Sequence, residues 1–188
     1  MSKKCSVIAK SLDWCSGTRV TPGIRRRFRW VPYDHIAKFP TLEVDELGNP
    51  VSETYTGNFE LVEGAKWLTI DHLVEKAEFS SQTQGTKPSA TFLNTVKMLH
   101  PGIGKEAAAA TAGMINIDII GLVEDMQGNY RVVGSENYPA TATVERAHGT
   151  GATGEAGTTI TVTGSDIVDA PFYEGEIVTD DGTINETA

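Results

Sequence analysis

Residues 118–146 constrain the fold more than any other part of the chain. Two apolar runs, Asp118-Ile-Ile-Gly-Leu-Val-Glu-Asp125 and Tyr130-Arg-Val-Val133, flank a Gly128-Asn129 turn, and an alternating run over 140–146 follows. A tight Gly/Asn turn between β-branched apolar runs is a hairpin signal, so the segment predicts a β-hairpin with a third strand behind it. No catalytic group lies on it, which gives it the character of sheet framework.

Upstream, residues 24–33 predict a strand entered through Thr21-Pro22-Gly23. Strict alternation puts Ile24, Arg26, Phe28, Trp30 and Pro32 on one face and Arg25, Arg27, Arg29, Val31 and Tyr33 on the other. A fully buried strand could not carry three unpaired guanidinium groups. Arg25, Arg27 and Arg29 are therefore candidate subunit-interface residues, or a solvated strip. Residues 40–58, rich in Pro, Gly, Asn and acids, predict a long loop with short hairpins around Gly48-Asn49-Pro50. Segments 59–64, 67–70 and 74–83 read as short strands, the last half solvated.

Residues 88–99 predict the best helix, because Phe92, Leu93, Val96 and Leu99 share one stripe and His100-Pro101-Gly102 stops the run. Residues 106–113 are alanine-rich and helical by propensity. They run directly into 114–123, a β run, and read as its small-residue approach, with a short helix as the alternative. Residues 158–163 alternate cleanly and are rich in Thr, and the Gly-rich 148–157 reads as a hairpin loop. Residues 174–188 carry five acids and no base and read as a flexible tail.

The organisation expected is one domain over 1–173, with an N-terminal arm (1–23) and the 40–58 loop, followed by the acidic tail 174–188. Roughly eight strands and one helix predict a mainly β chain, an antiparallel β-sandwich or barrel with one flanking α-helix.

Charge is divided unevenly. Residues 1–40 carry nine Lys or Arg against two Asp, a formal +7, whereas the other 148 residues carry seven against 23, a formal −16. Such a split fits self-association of a basic arm with an acidic neighbour, or nucleic-acid contact by the basic part. Overall acidity argues against a dedicated DNA binder. No run of about 18 apolar residues exists, so no membrane span is expected. The apolar stretch at the N-terminus is too short for a signal-peptide core, so the expectation is synthesis and storage in a cytoplasm until assembly.

Chemistry-bearing residues are sparse. Cys5 and Cys15 lie ten apart, matching neither a redox pair nor a zinc knuckle. His35, His72, His100 and His148 sit in unrelated contexts, and no Walker lysine, nucleophile elbow or metalloprotease helix occurs. The expectation is no enzyme activity, no cofactor and no metal. Phe28 and Trp30 beside the arginines could stack on bases, but they share the opposite face and read as core.

Several segments together resemble a known family. Cys15 followed by Thr21-Pro22-Gly23-Ile24, the aromatic strand after it and Asp34-His-Ile-Ala-Lys-Phe39-Pro40 resemble the opening of phage and prophage tail tube proteins of the Bacteroidetes-prophage type. Segment 88–99, the strand pair 119–125 and 130–134, and Ala170-Pro-Phe-Tyr-Glu-Gly175 fit the same plan, which spans most of residues 5–175. The alanine run and the acidic tail depart from it.

The resemblance implies a tail-tube-like sandwich or barrel whose subunits join sheets into a six-fold ring, the rings stacking into a tube, an architecture related to type VI secretion tube proteins. It implies a structural virion protein located in the tail and assembled in the bacterial host cytoplasm. Its partners would be further copies of itself in a hexamer ring and in stacked rings, other tail proteins, and DNA passing without sequence specificity, with no membrane partner. Two rival expectations stand beside it. One is a tail terminator or other tail component. The other is a carbohydrate-binding, adhesin-like sandwich presenting Trp14, Trp30 and Trp67.

Overall fold

The computed structural model describes residues 11–185. The readings on Cys5, on the N-terminal apolar stretch and on residues 186–188 of the tail lie outside the described residues. In chain order the strands are β1 (Ile24–Pro32), β2 (Ile36–Lys38), β3 (Thr54–Tyr55), β4 (Glu60–Leu61), β5 (Leu68–Asp71), β6 (Glu78–Gln84) and β7 (Thr91–His100). Helix α1 (Lys105–Ala112) follows. Then come β8 (Ile119–Asp125), β9 (Tyr130–Val133), β10 (Thr141–Ala147), β11 (Gly157–Asp166), β12 (Phe172–Tyr173), β13 (Ile177–Thr179) and β14 (Gly182–Ile184). The chain is mainly β with one α-helix.

The uninterrupted run at 119–123 is explained by where β8 lies. It is central in a six-stranded sheet, ordered β3-β12-β9-β8-β1-β5, that is covered on both faces. A strand buried on both faces needs apolar residues at every position, not at alternate ones. Ile119 and Val123 enter one core with Phe28 and Val133, while Ile120 and Leu122 enter a second with Val31 and Val132. Gly121 leaves a gap on the first face, and the Phe28 ring fills it: a Cβ at 121 would stand 2.6 Å from Phe28 Cζ.

The first core is closed by a four-stranded antiparallel sheet, β10-β11-β7-β6, through Ala142, Ile160, Val162, Val96 and Met98. These two sheets make the sandwich. The second core is covered by irregular chain and small hairpins. Phe59 centres it, with edge contacts to Phe39, Tyr55 and Trp67 at ring separations of 5.7, 6.2 and 5.4 Å. The Tyr173 hydroxyl accepts the Phe59 N–H at 3.1 Å and donates to the Glu176 carbonyl at 2.9 Å. One phenol thereby ties the covering loop and the C-terminal segment to the sheet.

Three expectations are corrected here. Residues 91–100 form strand β7, not a helix. It is paired on both sides, to β6 and β11, and that ladder overrides a helix-like stripe. Its inward set is Asn94, Val96 and Met98, with Asn94 fully buried and accepting from Ser81 Oγ at 2.6 Å. The polar inward Asn94 and the apolar outward Leu93 and Leu99 hide the period of two.

The helix is the alanine run instead. Thr111 Oγ1 donates to the Ala107 carbonyl at 2.7 Å and accepts from Arg146 Nη2 at 3.1 Å, so α1 caps one end of the sandwich at β10. Past it Asn116 takes φ 64°, and β8 begins only at Ile119. Finally, residues 177–184 are no flexible tail. They form the β13–β14 hairpin, with Ile177 fully buried in the second core and the Trp67 N–H donating to Val178.

Candidate subunit interface

The arginine strip is reorganised by a bulge. Between Ile24 and Phe28 strand β1 gains residues relative to β8, so Arg25, Arg26 and Arg27 stand opposite Glu124 alone. All three are exposed, while Arg29 is buried. Strict alternation therefore misplaces Arg26, and the surface cations are Arg25, Arg26 and Arg27.

Arg29 lies inside the subunit, its guanidinium 5.1 Å above the Tyr130 ring and 3.6 Å from Glu124 Oε2. Glu124 also takes Arg25 at 2.6 Å and the Tyr130 hydroxyl at 3.1 Å. One nearly buried carboxylate thus compensates the buried cation, as interior charge requires. Arg27 reaches Asp71 at 3.4 Å and Asp181 at 3.2 Å. These outer pairs are half exposed, and such pairs contribute at most about 1 kcal/mol each.

Phe28 and Trp30 are buried, so no base-stacking platform accompanies the arginines. Trp67 is buried as well. Of the three tryptophans that a carbohydrate-binding reading would use, Trp14 alone is exposed.

The four-stranded sheet presents a different surface. Its outward positions form a hydroxyl row across all four strands, Thr141 opposite Thr163, Thr163 opposite Thr95 and Thr95 opposite Ser80. Thr143, Thr159 and Thr161 extend it. Charge on this face is limited to Lys97, which faces Glu78, and Glu145. Among the described residues neither β6 nor β10 has a second strand neighbour within the sheet. Two seven-residue strands thus offer unpaired backbone donors and acceptors at opposite edges, with no proline to block pairing.

A groove of about 640 Å³ lies between the edge strand β5, α1 and the β13–β14 hairpin, lined by Trp30, Trp67, Leu68, Ala110, Asp180 and Asp181 among others. A second cavity of about 410 Å³ borders His72 and His100. Burial lowers the His72 pKa, and His100 Nδ1 donates to the Asp71 carbonyl at 2.7 Å. Among the described residues no group of three His, Cys, Asp or Glu side chains could hold a metal ion, and no helix is long and apolar enough to cross a membrane. Comparison with protein-family models, with curated proteins and with solved structures finds no match to this chain.

Proposed function

We propose that this chain is a structural subunit that polymerises, namely a phage or prophage tail tube protein whose rings stack into a DNA-conducting tube. The observation that carries the reading is the pair of open edges on the four-stranded sheet. A lone sandwich with two such edges risks uncontrolled pairing, whereas a ring in which β6 of one copy meets β10 of the next leaves none on the four-stranded sheet. The resemblance in the sequence supplies the six-fold ring, and tail proteins and passing DNA are the partners.

In that ring the hydroxyl-rich face lines the channel. Threonine and serine hydroxyls remain hydrated and carry no charge, and the strand residues on that face sum to one negative charge. DNA would slide past such a wall without counterion-releasing contacts. The lumen is in this reading nearly neutral and polar, and the chain's negative charge lies elsewhere.

Negative-stain electron microscopy of concentrated protein, with tail initiator supplied, tests the proposal. Rings or tubes are expected. Persistent monomers under those conditions would count decisively against it.

A further inference from the structure

Among the described residues of the N-terminal arm, 11–22, no side chain is buried against the body of the subunit. Residues 11–22 are exposed throughout, with Leu12 99%, Trp14 72% and Val20 65% exposed. Three large apolar side chains on one short unpaired segment mark a contact surface.

The groove beside β5 has the complementary chemistry. Its floor is Trp30 and Trp67, and Leu68 on its wall is 41% exposed. It also has an open backbone edge. The His72 N–H donates to the Arg26 carbonyl. In this antiparallel pair Leu68 and Ile70 therefore bond to β1, and Thr69 turns its N–H and C=O outward. An extended segment can add there as a strand while its side chains fill the groove.

Charge points the same way. Residues 1–23 carry Lys3, Lys4, Lys10 and Arg19 against Asp13, and the groove rim carries Asp180 and Asp181. Both rim carboxylates have exposed partners, Lys66 at 3.1 Å and Arg27 at 3.2 Å. Exposed pairs are weak enough to exchange for cations of an incoming arm.

We propose that the arm of one copy docks in the β5 groove of a second copy, adding a strand at Thr69 and seating Leu12 or Trp14 against Trp30 and Trp67. This rests on the self-association reading and extends it with a second contact, separate from the sheet edges. Leu12 and Trp14 are exposed in their own subunit, so substitutions there leave the fold intact.

The test uses full-length chains carrying Cys5→Ser. One chain keeps Cys15; the other carries Cys15→Ser and Leu68→Cys. The mixture is treated with a short bismaleimide, and a chain with both Cys15 and Leu68→Cys serves as the same-copy control. The expected product is a cross-linked dimer of the two different chains. Leu12→Asp with Trp14→Asp should lower its yield at least about tenfold, the loss expected on removing a central aromatic anchor. Cross-linking confined to single chains, or no dimer at all, would overturn the proposal. Microscopy of wild-type protein separates the two ideas. Tubes without the cross-link sink the arm contact alone, the cross-link without tubes sinks the tube reading alone, and the absence of both sinks both.

Discussion

Asp125 and Asn129 close the β8–β9 hairpin through a five-residue loop that Asp45 and Asn49 repeat elsewhere in the chain. The N–H groups of Gln127 and Asn129 donate to Asp125 Oδ1 at 2.8 and 2.9 Å, and Asn129 Nδ2 donates to Oδ2 at 3.0 Å. Leu47 and Asn49 do the same to Asp45, at 2.8 Å each and 3.2 Å. Gly128 and Gly48 sit between with φ 95° and 82°, a region that glycine enters without strain. The shared pattern Asp-x-x-Gly-Asn is therefore one turn used twice.

Asp125→Ala should destabilise the domain by about 1–2 kcal/mol, because a carboxylate that organises backbone donors is lost from a hairpin of the central sheet. Burial raises the Asp125 pKa, but its bonds from Asn129, Gln127 and Gly128 outweigh this and leave it below 3.8. A carboxyl with a depressed folded pKa stabilises above its unfolded value and loses that contribution as pH falls through the folded one. Urea unfolding at pH 7 and below pH 3.8 should show the wild-type advantage shrinking in acid. A constant difference would contradict the assignment.

Asp166 has the opposite sign. It is buried at the end of β11, and burial raises its pKa from 3.8 to about 6 against the Ile167 N–H and the Tyr55 hydroxyl, which lower it. Its contribution is complete below 3.8 and is lost as pH rises through about 6. Asp166→Asn, which can still accept the Ile167 N–H, should raise stability at pH 8 by about 2 kcal/mol and leave pH 4 nearly unchanged. Equal effects at both pH values would contradict this.

Gly121→Ala should cost about 1–3 kcal/mol, because the added methyl meets the Phe28 ring in a packed interior. Phe28→Leu in the same chain should recover part of the loss, and thermal unfolding of the double variant would show it. Additive losses would mean that the two positions do not share that space.

Arg25→Glu with Arg27→Glu should block assembly and leave a folded monomer, since the Arg27 pairs broken are half exposed and Glu124 keeps Arg29 as its partner when Arg25 is replaced. Sedimentation reads assembly and circular dichroism reads folding. Unchanged tube formation would remove both side chains from the interface.

What the sequence disclosed follows from how locally each element is determined. The β8–β9 hairpin was legible because Asp125, Gly128 and Asn129 act within five residues and the apolar run admits no amphipathic helix. The sandwich, mainly β with one helix, followed from many such strands. Strand β7 was misread because its inward Asn94 is balanced by Ser81 on another strand, a compensation that no local pattern records. The Arg25–Arg27 bulge was invisible for the same reason, being defined by the register against β8. The C-terminal hairpin was hidden by its exposed acids Asp180 and Asp181, while Ile177 enters the core and Ile184 packs against it. The β5 groove joins residues more than a hundred positions apart, and only the fold assembles it.

Amide hydrogen exchange on β6 and β10, compared between dilute monomer and concentrated assembly, reads the proposed edge pairing itself. If β6 of one copy pairs with β10 of the next, the outward amides of both strands gain strong protection on assembly, while the already paired β7 and β11 change little. Assembly that leaves the β6 and β10 amides exchanging as in the monomer would contradict β6–β10 pairing between copies.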